Sequence, residues 1–350
     1  MNRSELTKNE QKVLYGLICL PSKNDSDLSS IIDVKLSTFT SIKRRLLDQG
    51  IFKQYTVPVL NKLGSELLAV IYTQFNPVIP LDERVKTTKK TIEVFDEIFF
   101  SAGEQEKGFS LSLSKNYSSI GRINEIRTET FGKLGLLEKE YPSEVIFPFE
   151  ISSIKRFLDF SPLIKNYFNI DGLQVECDNK ITFSGIDRIQ LSDKEKEVYV
   201  ALVETPNATT QYIGKHAGLS RHTISRMKKN FFDKGLLKSI TVPNLQKLGF
   251  EMLAFYHIKF NPAKAPSQKD IDYLDSSSTV FFARREFEMV LISAYPTYQD
   301  YKTDKMEKFR YLKENNFILY TPLVRKYMFE RMAFIKKFNF SPIAQKIINN

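Results

Sequence analysis

The sequence predicts an α+β protein that contains two copies of one structural unit, and three observations lead to this prediction. Residues of the first half recur in the second half, at first with a constant offset of 185 positions, as from Leu6 to Leu191. The beginning of each copy has apolar residues at helical spacing, which predicts three helices. The remainder of each copy alternates strand-like and helix-like patterns, in the order β-α-β-β-α-β.

The repeat runs without a gap from the start of each copy and then continues more weakly in the same order. Single matches are Leu6/Leu191, Glu10/Glu195, Val13/Val198, Leu17/Leu202, Pro21/Pro206, Asp48/Asp233, Gly50/Gly235 and Lys53/Lys238. Matched segments are 56–58 with 241–243, 62–64 with 247–249, 75–77 with 260–262, 99–100 with 281–282, 149–150 with 329–330 and 160–162 with 340–342. We therefore infer a tandem duplication.

Each copy begins with three predicted helices and one strand. The ranges are 8–19, 26–32, 36–48 and 51–57 in the first copy, and 193–204, 210–217, 221–234 and 236–242 in the second. Ser220 is a suitable N-cap, and Gly50 and Gly235 end the third helices. We expect the strand to form a small hairpin that turns at Pro58. Three helices and a β-hairpin make a winged helix-turn-helix.

The second part of each copy predicts a ferredoxin-like domain, in which both helices cover one face of an antiparallel sheet. The predicted elements are 67–75, 82–95, 97–103, 109–113, 118–134 and 144–149, then 253–260, 267–274, 280–285, 288–294, 298–314 and 322–329. The tails 152–168 and 331–348 are expected to be partly helical. The predicted domains are a winged helix at 1–64, a ferredoxin-like domain at 65–168, a linker at 169–190, a second winged helix at 191–249 and a second ferredoxin-like domain at 250–350. Turn signals in the linker are Asp171-Gly172 and Ser184-Gly185.

The charge balance points to a polyanionic partner. The 51 Lys and Arg exceed the 41 Asp and Glu, so the formal net charge is +10. Such a balance favours nucleic acid or an anionic membrane surface. No apolar run is long enough to span a bilayer, and the N-terminus lacks the apolar segment of a signal peptide. Cys19 and Cys177 lie far apart without metal-ligand spacing, which predicts a reduced protein of the cytoplasm.

The outward faces of the two third helices carry the candidate DNA contacts. Arginine can bond guanine through two hydrogen bonds, and serine or threonine can bond bases or phosphates. Lysines beside the helices and strands would contact phosphates. The alternative is that these are solvated faces of ordinary helices, but the recurrence of the pattern in both copies favours DNA binding. The candidates are Lys35, Ser37, Thr38, Thr40, Ser41, Lys43, Arg44, Arg45, Lys53, Lys215, Ser220, Arg221, His222, Thr223, Ser225, Arg226, Lys229 and Lys238.

These motifs resemble those of one known family. They are Leu219-Ser220, Thr223-Ile224, Arg226, Gly235-Leu236 and Leu248-Gly249, with a looser set at Val34, Thr38-Phe39, Ile42, Arg44, Gly50-Ile51 and Leu63-Gly64. The family is Lrp/AsnC, the feast/famine or leucine-responsive transcription regulators. The resemblance implies that the ferredoxin-like domain mediates dimerisation and binds amino-acid effectors. The tandem arrangement is a departure. The turn between the second and third strands of that domain keeps Gly103 in the first copy but has no glycine at 284–288, which weakens the prediction of an effector.

The sequence therefore predicts a sequence-specific regulator that binds double-stranded DNA, with two winged helices in successive major grooves. The alternatives are a non-specific architectural or chromatin-like DNA-binding protein, and a ligand-sensing or protein-interaction module with degenerate helix-turn-helix units. Self-association through the ferredoxin-like domains and a nucleoid location are also predicted. His216, His222 and His257 lack metal-ligand spacing. No catalytic residue, metal, cofactor or membrane partner is predicted, and we expect the chain not to be an enzyme.

Overall fold

The computed structural model describes residues 6–138, 140–173, 175–183 and 185–349 of a mixed α+β protein. The N-terminal residues used to assess a signal peptide, Met1 to Glu5, lie outside the described residues, and so does Ser184 of the second linker turn. No helix of the described part is both long and apolar enough to cross a membrane.

The helices and strands are numbered in chain order. The helices are α1 (Lys8–Cys19), α2 (Asp25–Ile31), α3 (Leu36–Asp48), α4 (Leu81–Glu93), α5 (Tyr117–Lys133), α6 (Ser161–Tyr167), α7 (Asp193–Glu204), α8 (Thr210–Ala217), α9 (Arg221–Asp233), α10 (Gln268–Leu274), α11 (Tyr298–Glu314) and α12 (Ser341–Asn349). The strands are β1 (Phe52–Pro58), β2 (Leu67–Gln74), β3 (Ile98–Gly103), β4 (Lys107–Ser114), β5 (Ser143–Pro148), β6 (Ser153–Phe157), β7 (Leu237–Pro243), β8 (Met252–Lys259), β9 (Thr279–Arg285), β10 (Glu288–Tyr295), β11 (Leu323–Met328) and β12 (Ala333–Lys336).

Matching capping boxes begin the first helix of each half. The Glu10 carboxylate accepts a hydrogen bond from the Thr7 amide at 2.7 Å, and the Glu195 carboxylate accepts one from the Ser192 amide at 2.9 Å. The hydroxyl of each N-cap residue in turn accepts from the glutamate's amide. These reciprocal bonds satisfy backbone groups that a helix start leaves unpaired. The repeated Glu10/Glu195 match in the sequence therefore has a structural cause.

A pH titration should detect the second capping box. Hydrogen bonds from Ser192 lower the pKa of Glu195 below its usual value of 4.5. A carboxyl whose pKa is depressed in the folded state stabilises the protein above its unfolded pKa, and this contribution is lost as the pH falls through the folded pKa. We expect Glu195→Gln to weaken the fall in thermal stability between about pH 5 and about pH 3. Glu204→Gln, on the same helix, is the control. An unchanged pH profile for Glu195→Gln would contradict this role.

The predicted local hairpin at Pro58 is not formed. Instead β1 pairs with β7, the corresponding strand of the other half. The Val59 amide donates to the Leu236 carbonyl at 2.9 Å, and the Asn244 amide donates to the Ile51 carbonyl at 2.6 Å. After Val59 the chain enters a short 3₁₀ turn, Leu60–Lys62, and no return strand follows. The hairpin prediction was wrong because β1 finds its partner far away in the sequence.

Each of the two large sheets has five strands, one more than predicted. Their orders are β11-β8-β10-β9-β6 and β12-β3-β4-β2-β5. The fifth strand comes from the tail of the other half in each case, and each tail is a strand followed by a helix. An exposed edge strand offers unpaired backbone groups to any extended segment. The tail strands β6 and β12 occupy those edges at β9 and β3.

The described chain divides into two compact units, each made from three stretches. Unit 1 comprises Met1–Tyr55, Ile154–Thr182 and Ser239–Glu330. Unit 2 comprises Thr56–Ser153, Phe183–Lys238 and Arg331–Asn350. Each unit therefore combines the helical segment of one half of the sequence with the β-α-β-β-α-β segment of the other half.

The helix-facing sides of the two sheets have different cores. In unit 1 one continuous apolar cluster includes Tyr256, Leu291 and Leu312. In unit 2 the same side is split between a cluster that contains Ile71 and another formed around Phe75 and Phe131. Burial of apolar surface stabilises both units.

The prediction of unpaired, reduced cysteines was wrong. Cys19 and Cys177 form a disulfide within unit 1, with their Cα atoms 4.5 Å apart. The Asp178 amide also donates to the Cys19 carbonyl at 2.9 Å. A separation of 158 residues along the chain did not prevent this pairing, because the fold returns the segment after α6 to the end of α1.

Candidate nucleic-acid interface

The turn between α8 and α9 depends on two glycines. Gly218 ends α8 in the left-handed region with φ of 66°, where a side chain is strained. A Cβ atom on Gly214 would lie 2.6 Å from the Leu219 carbonyl oxygen. α9 then starts at Ser220, whose hydroxyl accepts from the Thr223 amide at 3.1 Å. These features fix where α9 begins and its direction away from α8.

The inward face of α9 is anchored in unit 2. Ile224 and Phe231 are fully buried. The Phe231 ring meets the Tyr199 ring edge-to-face at 5.4 Å, and the Tyr199 hydroxyl donates to the Leu236 carbonyl at 2.9 Å. Because the apolar side cannot rotate outward without losing this packing, the opposite face of α9 is held towards solvent.

That opposite face carries Arg221, His222, Ser225, Arg226 and Lys229, all exposed. Within the residues that the structure describes, none of the four basic side chains forms an ion pair. Two predicted contact residues have another role, since the Ser220 and Thr223 hydroxyls bond each other at 2.9 Å and complete the cap. Of the flanking lysines, Lys215 is exposed and Lys238 is half-buried.

The corresponding face of α3 in unit 1 has fewer basic side chains that lack an ion pair with the described residues. Phe39, Ile42 and Leu46 are buried, as their spacing predicted. The exposed predicted residues are Lys35, Ser37, Thr38, Thr40, Ser41, Arg44, Arg45 and Lys53. However, Lys43 pairs with Asp25 at 2.6 Å and Arg45 pairs with Glu10 at 2.6 Å. The Thr40 hydroxyl donates to the Leu36 carbonyl at 3.0 Å.

Acidic residues strengthen this contrast between the halves. Asp25 and Asp27 lie in the first turn of α2, whereas Lys215 and His216 lie in the last turn of α8. Burial alone would raise the pKa of Glu10, but hydrogen bonds from Thr7 and Arg45 outweigh it and keep that pKa below its usual value. Glu10 therefore stays ionised and holds Arg45. The α8–α9 pair offers the more favourable surface to phosphate.

Two positioning residues were missed by reading the sequence for DNA contacts. Lys62 Nζ donates to the Lys234 carbonyl at 2.8 Å, and Lys247 Nζ donates to the Gln49 carbonyl at 2.5 Å. Each lysine thus bonds the end of α9 or α3, where a positive charge complements the helix dipole. The signal was present in the repeat, because both lysines open the matched Lys-Leu-Gly segments.

One protein family matches part of the chain. The family described as "Sugar-specific transcriptional regulator TrmB" matches residues 187–257, which include α7, α8 and α9. No curated protein matches the chain.

Among solved structures, the siroheme decarboxylase NirDL aligns with a TM-score of 0.54 at 10% identity, over 97% of this chain and 99% of that chain. NirDL in complex with an iron-uroporphyrin III analogue aligns at 0.52 and 9% identity, over 97% and 98%. The leucine response regulatory protein LrpA of Mycobacterium tuberculosis aligns at 0.31 and 18% identity, over 40% of this chain and 91% of that chain. At these identities the likeness concerns the fold.

The expectation that the chain is not an enzyme is contradicted by this comparison. The whole-chain alignment is with an enzyme, siroheme decarboxylase. A fold hosts different functions. The lack of a recognisable catalytic motif in the sequence was therefore an insufficient reason to exclude an enzyme.

Proposed function

We propose that the protein is a DNA-binding transcription regulator that inserts α9 into the major groove. One observation carries this proposal: α9 is fixed on its apolar side and exposes Arg221, His222, Arg226 and Lys229 without ion pairs in the described part of the chain. The match of residues 187–257 to a transcription regulator family supports it. Basic side chains that make no ion pair, on a helix held in one orientation, are suited to contacts with both phosphates and bases.

We further propose that binding is sequence-specific and that α3 acts as a second reading helix. The chain would then be a tandem duplication with the five domains given above. The pairing of β1 with β7 and the exchange of β6 and β12 support two copies that once associated as separate subunits. The flanking lysines Lys35, Lys53, Lys215 and Lys238 would contact phosphates. We also propose that the protein acts at the nucleoid in the cytoplasm and that it self-associates.

Because α3 and α9 expose different side chains, we expect a DNA site whose two half-sites differ in sequence. α3 exposes hydroxyls and one arginine without an ion pair among the described residues, Arg44, whereas α9 exposes several basic side chains. We expect the half-site bound by α9 to have the stronger base preference, because bidentate arginine contacts to guanine specify sequence. The half-site bound by α3 would be read more through phosphates.

Selection of bound sequences from random DNA, followed by salt titration against competitor DNA, tests this function. We expect an enriched, non-palindromic site that binds ~10³-fold or more tightly than random DNA at physiological salt. Equal affinity for all sequences would instead identify a non-specific architectural binder. No binding of either DNA at low salt would exclude a DNA-binding function.

A further inference from the structure

At two positions the central strand of the unit 2 sheet has serine where its counterpart in unit 1 has a large residue. Leu67 of β2 pairs with Ser114 of β4, and Met252 of β8 pairs with Tyr295 of β10, which aligns the two central strands. On this alignment the helix-facing residues Ser110, Ser112 and Ser114 of β4 correspond to Leu291, Ser293 and Tyr295 of β10. All six side chains are buried. The β4 residues therefore fill much less volume beneath the helices of unit 2.

Arg127 of α5 points at this stripe. The residue is only 2% exposed. Its Nη1 donates to the Ser110 hydroxyl at 3.0 Å, and its Nη2 donates to the Thr73 hydroxyl at 3.5 Å. Its Nε has no acceptor, and no carboxylate of the described residues pairs with it. Burial lowers the pKa of Arg127 to about 10, so the guanidinium remains charged at neutral pH.

The matching position in unit 1 shows how a buried cation is compensated within the chain. Lys308 is the eleventh residue of α11, as Arg127 is of α5. Lys308 is also buried, but it pairs with Asp304 and donates to the Ser276 hydroxyl at 2.8 Å. The residue four positions before Arg127 is Ile123. A buried charge without an opposite charge is costly, and unit 2 lacks the carboxylate that unit 1 supplies.

Two other buried hydroxyls of unit 2 are also unsatisfied. Within the described part of the chain, the hydroxyls of Ser112 on β4 and Thr88 on α4 are buried without a hydrogen-bond partner. Arg84, one turn before Thr88, stacks its guanidinium 4.4 Å from the centre of the Phe75 ring. Phe75 contacts Phe131, whose ring centre lies 5.7 Å from the Arg127 guanidinium.

We propose that the arginine band, defined as Arg127, Ser110 and Ser112, binds a compact oxyanion: the carboxylate of a small metabolite or an inorganic phosphate group. Arg127 supplies the charge, and charge-assisted hydrogen bonds from a guanidinium to an oxyanion are strong. The Ser112 hydroxyl, which has no partner among the described residues, supplies a neutral donor. The band lies wholly within unit 2. This ligand site is independent of the proposed DNA-binding function.

Thermal unfolding of the full chain, with isothermal titration, tests the site. The probes are sodium acetate, sodium malonate and inorganic phosphate, each compared with sodium chloride at the same ionic strength. We expect at least one oxyanion to raise the Tm of the unchanged protein by preferential binding to the folded state. Stabilisation by acetate or malonate alone assigns a carboxylate, and stabilisation by phosphate alone assigns a phosphate group. The absence of any rise above chloride overturns the proposal.

Arg127→Met removes the charge but keeps a long apolar side chain. We expect affinity for the oxyanion to fall about 10- to 100-fold, so that its effect on Tm is lost. Lys308→Met is the matched control. We expect the folded fraction of this variant to respond to the oxyanion as the unchanged protein does. An unchanged response in Arg127→Met would overturn the assignment.

If Arg127→Met does not fold, the variant Ile123→Asp provides a second test of the site. It places a carboxylate four residues before Arg127, as Asp304 stands before Lys308. We expect this internal carboxylate to pair with Arg127 and abolish the response to the oxyanion. A folded Ile123→Asp protein that still responds fully would show that the ligand does not use Arg127.

Discussion

Replacing Lys308 with methionine is expected to lower the free energy of unfolding by about 3–5 kcal/mol, the usual cost of breaking a buried ion pair on one side. Lys308 is 3% exposed, and its partner Asp304 is 15% exposed in the side chain. Without the ammonium group, Asp304 would keep the Tyr295 hydroxyl as a donor. That hydroxyl also bonds the Tyr256 hydroxyl at 2.9 Å, so the stranded carboxylate would disturb a connected buried network. Denaturant unfolding at pH 7 measures the effect.

The matched variants give opposite expectations for the two units. The double variant Lys308→Met/Asp304→Leu should recover most of the lost stability, because removal of both charges avoids an unpaired buried ion. Arg127→Met should leave the stability of the ligand-free protein unchanged or raise it. Because Arg127 pairs with no carboxylate among the described residues, its removal leaves no buried anion unpaired. A loss for Lys308→Met within ~0.5 kcal/mol, as for a surface change, would contradict the role of the pair.

Arg226→Ala is expected to weaken binding to the selected DNA site by about 1–3 kcal/mol, if its guanidinium bonds a base edge. This corresponds to a fall in affinity of about 5- to 150-fold. Arg226 is exposed on α9, one turn after His222. Its loss should leave stability nearly unchanged, because the side chain makes no ion pair with the described residues. Fluorescence anisotropy with the selected site and with random DNA separates the loss of specificity from a general loss of affinity.

Arg310→Ala is the control for this experiment. Arg310 is an exposed arginine on α11, so its replacement changes the net charge equally without altering α9. Equal losses of affinity in the two variants would mean that only net charge matters. An unchanged affinity in Arg226→Ala would remove α9 from the proposed interface.

Local features of the fold could be predicted from sequence because local interactions produce them. The apolar spacing of Phe39, Ile42 and Leu46 placed α3 within its observed bounds, and Ser220 caps α9 as its position suggested. The exposure of Arg221 and Arg226 followed from the same helical period. These inferences need only residues within a few turns of each other.

Non-local pairings were beyond the same reasoning. The pairing of β1 with β7, the fifth strands β6 and β12 and the bond from Cys19 to Cys177 join segments that no spacing rule connects. The burial of Arg127 also depends on the small side chains of β4, which lie outside its own helix. The exclusion of an enzyme was wrong for a related reason, since it rested on motifs and ignored what the whole scaffold can hold.

The exchange of tail strands has a consequence for synthesis on the ribosome. Unit 1 ends at Glu330, so all of its segments exist before the residues that follow Glu330 are made. Unit 2 also needs 331–349, in which β12 covers the edge of β3 and α12 packs on α7. The β3 edge, although translated early, therefore stays open in the nascent chain until the residues of β12 have been made. Such an edge invites pairing with other chains, and a pause in translation before β12 is made should favour aggregation through β3.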